Sequence, residues 1–173
     1  MPNTPVNAGV RQAVGAVDWA AYAMAPSAEW YRPESVPVAF ELLLTASNEQ
    51  EGRAAYNAML FAIGNNHAGL LYPAALPAAP LRVRIARECK GWVRWTALEI
   101  LIEFTAFDVD REQFVAPSGA VVPTKKTIID AIWSLFDELE LIAQHQDSAV
   151  PTTQSARDLL NYLLDGRQDG SAR

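Results

Sequence analysis

A chain of 173 residues and 18.9 kDa suits one domain, and at 50% hydrophobic and 20% charged it buries a real core, which excludes wholesale disorder. A net charge of −6 and a pI near 4.9 argue against a nucleic-acid binder whose affinity rests on neutralising phosphates. A single cysteine, Cys89, excludes an intrachain disulfide framework and any multi-cysteine zinc site, and two histidines leave little for metal chemistry.

Along the chain, residues 1–9 are rich in Pro, Asn and Gly and are expected to be loose, with no basic start and apolar run of a secretory leader. Val10, Val14, Val17 and Trp19 give a helical stripe over 10–24, which Pro26 ends. A connector with Pro26, Pro33 and Pro37 leads to a helix over 38–46. Asn48 with Glu51 three residues on makes a capping box for the next helix, stopped at Gly64-Asn65-Asn66 by residues that tolerate the left-handed conformation. Prolines at 73, 77 and 80 delay the following helix to 81–89, and Gly91 separates it from a helix over 92–107.

Residues 108–123 show no sustained period and read as a long loop, or as a small β-hairpin around Pro117-Ser118-Gly119. Thr124 then caps one long helix to about 146, and a last helix over 155–164 stops at Gly166. The expected organisation is an all-α domain over 10–166 with six or seven helices, a frayed tail at 167–173 and no convincing strand set. No stretch approaches the roughly 18 apolar residues of a membrane span, so a cytoplasmic chain without membrane contact is expected.

The stretch YNAMLFAIGNNHAGLLYPAALPAAPLRVRIARECKGWVRWTALEILIEF joins an apolar helix with a Gly-Asn turn to a proline-led second helix. Val93-Arg94-Trp95-Thr96-Ala97-Leu98-Glu99-Ile100-Leu101 then opens the next unit. This third of the chain resembles small bacterial proteins with degenerate HEAT-like helical repeats. The resemblance implies stacked antiparallel helix pairs and a binding scaffold without catalysis or cofactor. Some proteins of this look are immunity proteins that neutralise a toxin delivered between cells, so it also implies a toxin effector domain as partner.

Charge is uneven. Arg82, Arg84, Arg87, Lys90 and Arg94 fall within thirteen residues whose only acid is Glu88, whereas residues 95–147 hold ten acids against three bases. One reading makes the acidic half, with Asp108, Asp110, Glu112, Asp137 and Glu140, the surface that covers a basic toxin site. The other makes both runs solvated helix faces that pair with each other, and on chemical grounds it is preferred. Trp30 and Arg94 are further candidate partner contacts, Trp30 because it sits between prolines and Arg94 because it lies between Trp92 and Trp95. Those two tryptophans are themselves expected in the core.

Catalytic candidates are sparse. Cys89 with His67 could form a thiol–imidazole pair at a pocket between helices, but Cys89 reads better as a packed thiol, His67 as a turn residue and His145 as a helix-end residue. Asp108-Val109-Asp110 lacks the glycine and distal glutamate of a calcium loop, and Glu99 and Glu103 lack Glu-x-x-His partners. The nine glycines form no phosphate loop, so neither metal nor cofactor is expected. A general repeat adaptor or a small-ligand protein remains the alternative to an immunity protein.

Overall fold

The local chemistry is plainest at residues 47–51, where Asn48 Oδ1 accepts from the Glu51 amide at 3.0 Å and the Glu51 carboxylate takes the Ser47 amide and hydroxyl at 2.8 Å each. The box therefore closes on Ser47 and not on Asn48 itself, satisfying the first donors of a helix that would otherwise be orphaned. The computed structural model describes residues 5–23, 29–116, 119–145 and 150–170. They form eight α-helices and five short strands.

α1 (Pro5–Gly15) starts five residues earlier than expected, because Pro5 presets the first helical φ and Val10 and Val14 are buried against the neighbouring helices. It ends where the Trp19 indole donates to the Val14 carbonyl at 3.0 Å, and a 3-10 turn (Trp19–Tyr22) replaces the remainder of the predicted 10–24 helix. Met24 lies outside the described residues. α2 (Ser35–Thr45) and α3 (Glu49–Ile63) form a hairpin joined by three residues.

The stop after α3 is not left-handed. Gly64 is extended, with φ −167° and ψ −177°, and no non-glycine residue has positive φ among the described residues. Gly64 is required instead by close approach, since a Cβ there would lie 2.5 Å from the Leu70 carbonyl oxygen. It opens β1 (Gly64–Asn65), antiparallel to β2 (Leu70–Leu71), with the positive φ displaced to Gly69 in the turn between them.

α4 (Ala75–Glu88) begins six residues before the predicted 81–89 helix. Pro77 sits in the first turn, where no intrahelical donor is needed, and Pro80 faces solvent. α5 (Gly91–Ala106) matches its prediction and is buried on most sides, packed by α2, α3, α4 and two later helices. β3 (Asp108–Val109) then runs parallel to β2, clipping the end of α5 to the end of α3.

The hairpin expected around residues 117–119 is present as β4 (Gln113–Val115) and β5 (Val121–Pro123), in register Phe114↔Val122. Two short strands alone are marginal, and this pair is anchored by buried Phe114, whose ring stacks on Tyr22 at 5.2 Å. Pro117 and Ser118 lie outside the described residues.

The single helix predicted over 124–146 is two. α6 (Thr124–Trp133) and α7 (Phe136–Gln144) part at Ser134, whose carbonyl accepts from Arg87 Nη2 at 2.7 Å. Tertiary contact thus breaks a helix that contains neither glycine nor proline. Thr124 starts α6 but does not cap it, its buried hydroxyl having no hydrogen-bond partner. α8 (Thr152–Gly170) runs past Gly166, since an exposed glycine inside a helix costs only about 1 kcal/mol. Helix count and strand content therefore both exceed the prediction, while the mainly helical class stands. Among the described residues no helix is long and apolar enough to cross a membrane.

Candidate functional site

The acidic candidates do not gather on one face. Asp108 and Asp110 are fixed through their backbones, donating to the Gly69 and Leu71 carbonyls at 2.9 Å each, and the Glu112 carbonyl accepts from the Thr124 amide at 2.8 Å. Asp108 and Glu112 are exposed; Asp110 is half-buried, with Oδ2 unpartnered, and its charge helps push the Tyr72 phenol up behind the larger effect of burial. Asp137 and Glu140 are exposed on α7, beyond the far end of α6, whose ten residues span about 15 Å.

Other acids of this half are already engaged. Glu138 pairs with Arg87 at 2.6 Å and Asp130 with Lys126 at 2.6 Å, while Glu103 and Glu99 accept from Tyr56 and Ser155 hydroxyls at 2.5 Å. Burial raises the Glu99 carboxyl despite the Ser155 hydroxyl.

Trp30 occupies a different place. Tyr31 beside it is buried, donating its hydroxyl to the Trp19 carbonyl at 2.9 Å and meeting Tyr72 edge to face, so Trp30 is held outward at 68% exposure. Because α2 and α3 are antiparallel, the start of α2 and the end of α3 share one end of the hairpin. Exposed Val38 lies there with Leu42 one turn on, as does Phe61, 51% exposed with His67 edge-on at 5.5 Å. Neither Val38, Leu42 nor Phe61 was among the sequence candidates. Their signal is that α2 is apolar nearly all round, more than one buried face can absorb.

The basic run is dispersed. Arg84 pairs with Glu88 on its own helix at 3.1 Å, Arg87 with Glu138 on α7, and Arg94 donates to the Arg87 carbonyl at 3.2 Å. Arg82 is fully buried, its guanidinium 4.9 Å from the Phe40 ring centre and 4.8 Å from that of Phe104. Trp95 is in the core as expected and Trp92 is half-buried against it, the rings meeting edge to face at 5.3 Å. Arg87, Lys90 and Arg94 line a cleft of about 610 Å³ that also meets the end of α7 and the start of α8.

Cys89 lies in a second, largely apolar cleft of about 530 Å³ with Leu44, Trp92 and Val93. Its thiol donates to Asn7 Oδ1 at 3.8 Å, and burial raises it away from the thiolate. His67 is against Phe61 and His145 at the end of α7, so neither imidazole lines the Cys89 cleft. Among the described residues no group of three or more His, Cys, Asp or Glu side chains could hold a metal ion. No family model, curated protein or solved structure matches the chain.

Proposed function

We propose that the chain is a non-enzymatic, cytoplasmic protein-binding scaffold, and within that class an immunity protein that binds a cognate bacterial toxin domain and covers its active site. The observation that carries the binding reading is the exposed apolar end of the α2–α3 hairpin, where Trp30, Val38 and Phe61 stand in solvent while Tyr31 pins the segment from beneath. Rigidly presented aromatics are what interface hot spots are made of, because they bury large areas at small entropic cost. The pairing of α2 with α3, α4 with α5 and α7 with α8 supports stacked HEAT-like units, which present such outer surfaces to partners. The exposed acids Asp108 and Glu112 on one side, and Asp137 and Glu140 on another, would steer a basic toxin toward the chain before the apolar end docks.

The test is affinity capture from the native cells with the wild-type chain and a W30A/F61A variant, followed by co-expression with whatever is captured. One dominant partner bearing a toxin domain, lost from the variant and harmless only when co-expressed with the wild type, is the expected result. A partner retained equally by the variant removes the hairpin end from the reading. A partner whose expression alone is harmless removes the immunity function.

A further inference from the structure

The Cys89 cleft exists because two helices end against the same space and small residues follow them. α2 ends at Thr45 and is left through Ala46, while α4 ends at Glu88 and is left through Cys89, with Gly91 two residues on. A Cβ on Gly91 would meet no atom within 4 Å. α1 packs on both α2 and α4 and supplies the remaining wall. It is tied down on each side: Arg11 Nε and Nη2 donate to the Glu41 carboxylate at 2.7 Å each, and the Asn7 amide donates to the Leu44 carbonyl at 3.3 Å. The cleft of about 530 Å³ is therefore walled before any ligand arrives, and its volume falls within the roughly 300–1,000 Å³ of small-molecule sites.

The lining decides what the cleft can hold. Val6, Leu44, Ala46, Trp92 and Val93 give it apolar walls. The polar side chains among them are spent on the protein itself. Asn7 accepts from the Cys89 thiol, the Thr45 hydroxyl donates to the Glu41 carbonyl at 2.8 Å and the Ser47 hydroxyl to the Glu51 carboxylate at 2.8 Å. The Glu88 carboxylate is held by Arg84 at 3.1 Å. Glu88 and Lys90, both exposed, carry opposite charges, so together they present no net charge to an ion. An ion entering would give up its water without a matched counter-charge, whereas an apolar surface gains by leaving water.

We infer that the cleft between α1, the end of α2 and the α4–α5 junction binds a neutral, predominantly apolar small molecule, which lies on Val6, Leu44 and Trp92. This inference does not depend on the toxin-binding reading, which rests on the far end of the α2–α3 hairpin.

The experiment uses the full chain with N-phenylnaphthylamine, a neutral probe whose fluorescence rises in apolar sites, and anilinonaphthalene sulfonate, the same rings carrying an anion. Cys89 is the only cysteine, so its alkylation by iodoacetamide reports on this cleft. The neutral probe is expected to bind one per chain and to slow Cys89 alkylation about tenfold at saturation, and the sulfonate to bind at least about tenfold more weakly. V6W, which places an indole in the cleft from a half-buried position at the start of α1, is expected to weaken the neutral probe about tenfold, while W30A/F61A leaves it unchanged. Cys89 protection in the wild type stands as a separate readout should V6W not fold. No binding of the neutral probe, equal binding of the sulfonate, or alkylation unaffected by the probe overturns the site. Binding lost in W30A/F61A and kept in V6W moves the probe to the hairpin end and overturns it equally. A chain that sediments as a dimer with Cys89 already shielded gives the cleft to a second copy and not to a small molecule.

Discussion

The molecule holds two cations, one half-buried and one fully buried, against the same residue in opposite ways. Lys125, at the start of α6, reaches the end of α5 and donates to the carbonyls of Phe104, at 3.1 Å, Thr105, at 2.9 Å, and Phe107. Those carbonyls are the ones a helix C-terminus leaves without donors, so the ammonium caps α5 and complements its dipole. Burial draws the Lys125 ammonium down, and the nearby Asp108 carboxylate opposes that. Arg82, one helix away, meets the ring of the same Phe104 and has no hydrogen bond from Nε, Nη1 or Nη2. Burial alone pulls its guanidinium down to about 9. Lys125 is therefore a cation the fold uses, whereas Arg82 is one it tolerates through two aromatic faces.

The largest effect that sharpens this contrast is R82A. Removing a fully buried side chain clasped by Phe40 and Phe104 opens a cavity, and chemical denaturation is expected to show a loss of about 3 kcal/mol or more. K125M follows, with a loss of about 2 kcal/mol, because it leaves the α5 carbonyls without their shared donor. R82M carries the opposite sign. The methionine retains most of the volume and removes the charge, whose desolvation of several kcal/mol exceeds the roughly 2 kcal/mol per ring of a buried cation–π contact, so a gain of about 1 kcal/mol is expected at neutral pH. The Arg82 value in the folded chain, about 9, lies well below its ordinary value, so between the two the unfolded chain binds the extra proton. Stability therefore rises with pH across that window, and the gap between R82M and wild type narrows above about pH 9. The same methionine substitution destabilising both sites would break the comparison.

Arg82 also shows where the sequence was legible and where it was not. Its neighbours Arg84, Arg87, Lys90 and Arg94 disguised it as part of a surface charge run. The helical period of α4, with Ala75, Ala78, Ala79, Ile85 and Ala86 buried, places residue 82 on the inward face, but a helix that begins only after Pro77 and Pro80 is too short to show that period. Local chemistry was readable: the Asn48–Glu51 cap, the start and end of α5 and the option of a hairpin at Phe114 depend on neighbours in the chain. The break at Ser134 was not, because the group that breaks the helix, Arg87, lies 47 residues away. For the same reason the acidic candidates could be found as residues but not as a surface, since only the fold puts Asp108 and Asp137 at opposite ends of α6.

Acids sharpen the contrast from the other sign. Glu99 is half-buried and its carboxyl is raised by burial first, with Asp158 and Glu103 adding to it. A raised carboxyl holds its proton in the folded chain when the unfolded chain has lost it, so its contribution is complete below its ordinary value of 4.5 and is lost as pH rises through the folded value. E99Q keeps an acceptor for the Ser155 hydroxyl without the charge. It is expected to gain somewhat under 1 kcal/mol at pH 7 and to flatten the fall in stability that the wild type shows above pH 4.5, as measured by denaturation at a series of pH values.

The smallest effect belongs to Trp30, and its smallness is the point. A side chain 68% exposed has little packing to lose, so W30A is expected to change stability by no more than about 0.5 kcal/mol. Y31F beside it loses the buried hydrogen bond to the Trp19 carbonyl and is expected to lose about 1 kcal/mol. Taken together, the two substitutions separate a residue that holds the segment from one that the segment holds out. Calorimetric unfolding decides between them: a W30A loss as large as that of Y31F would make Trp30 part of the core, and its exposure could then no longer support a docking role. An unchanged W30A leaves contact with a partner as the use of an aromatic side chain that the fold itself does not need.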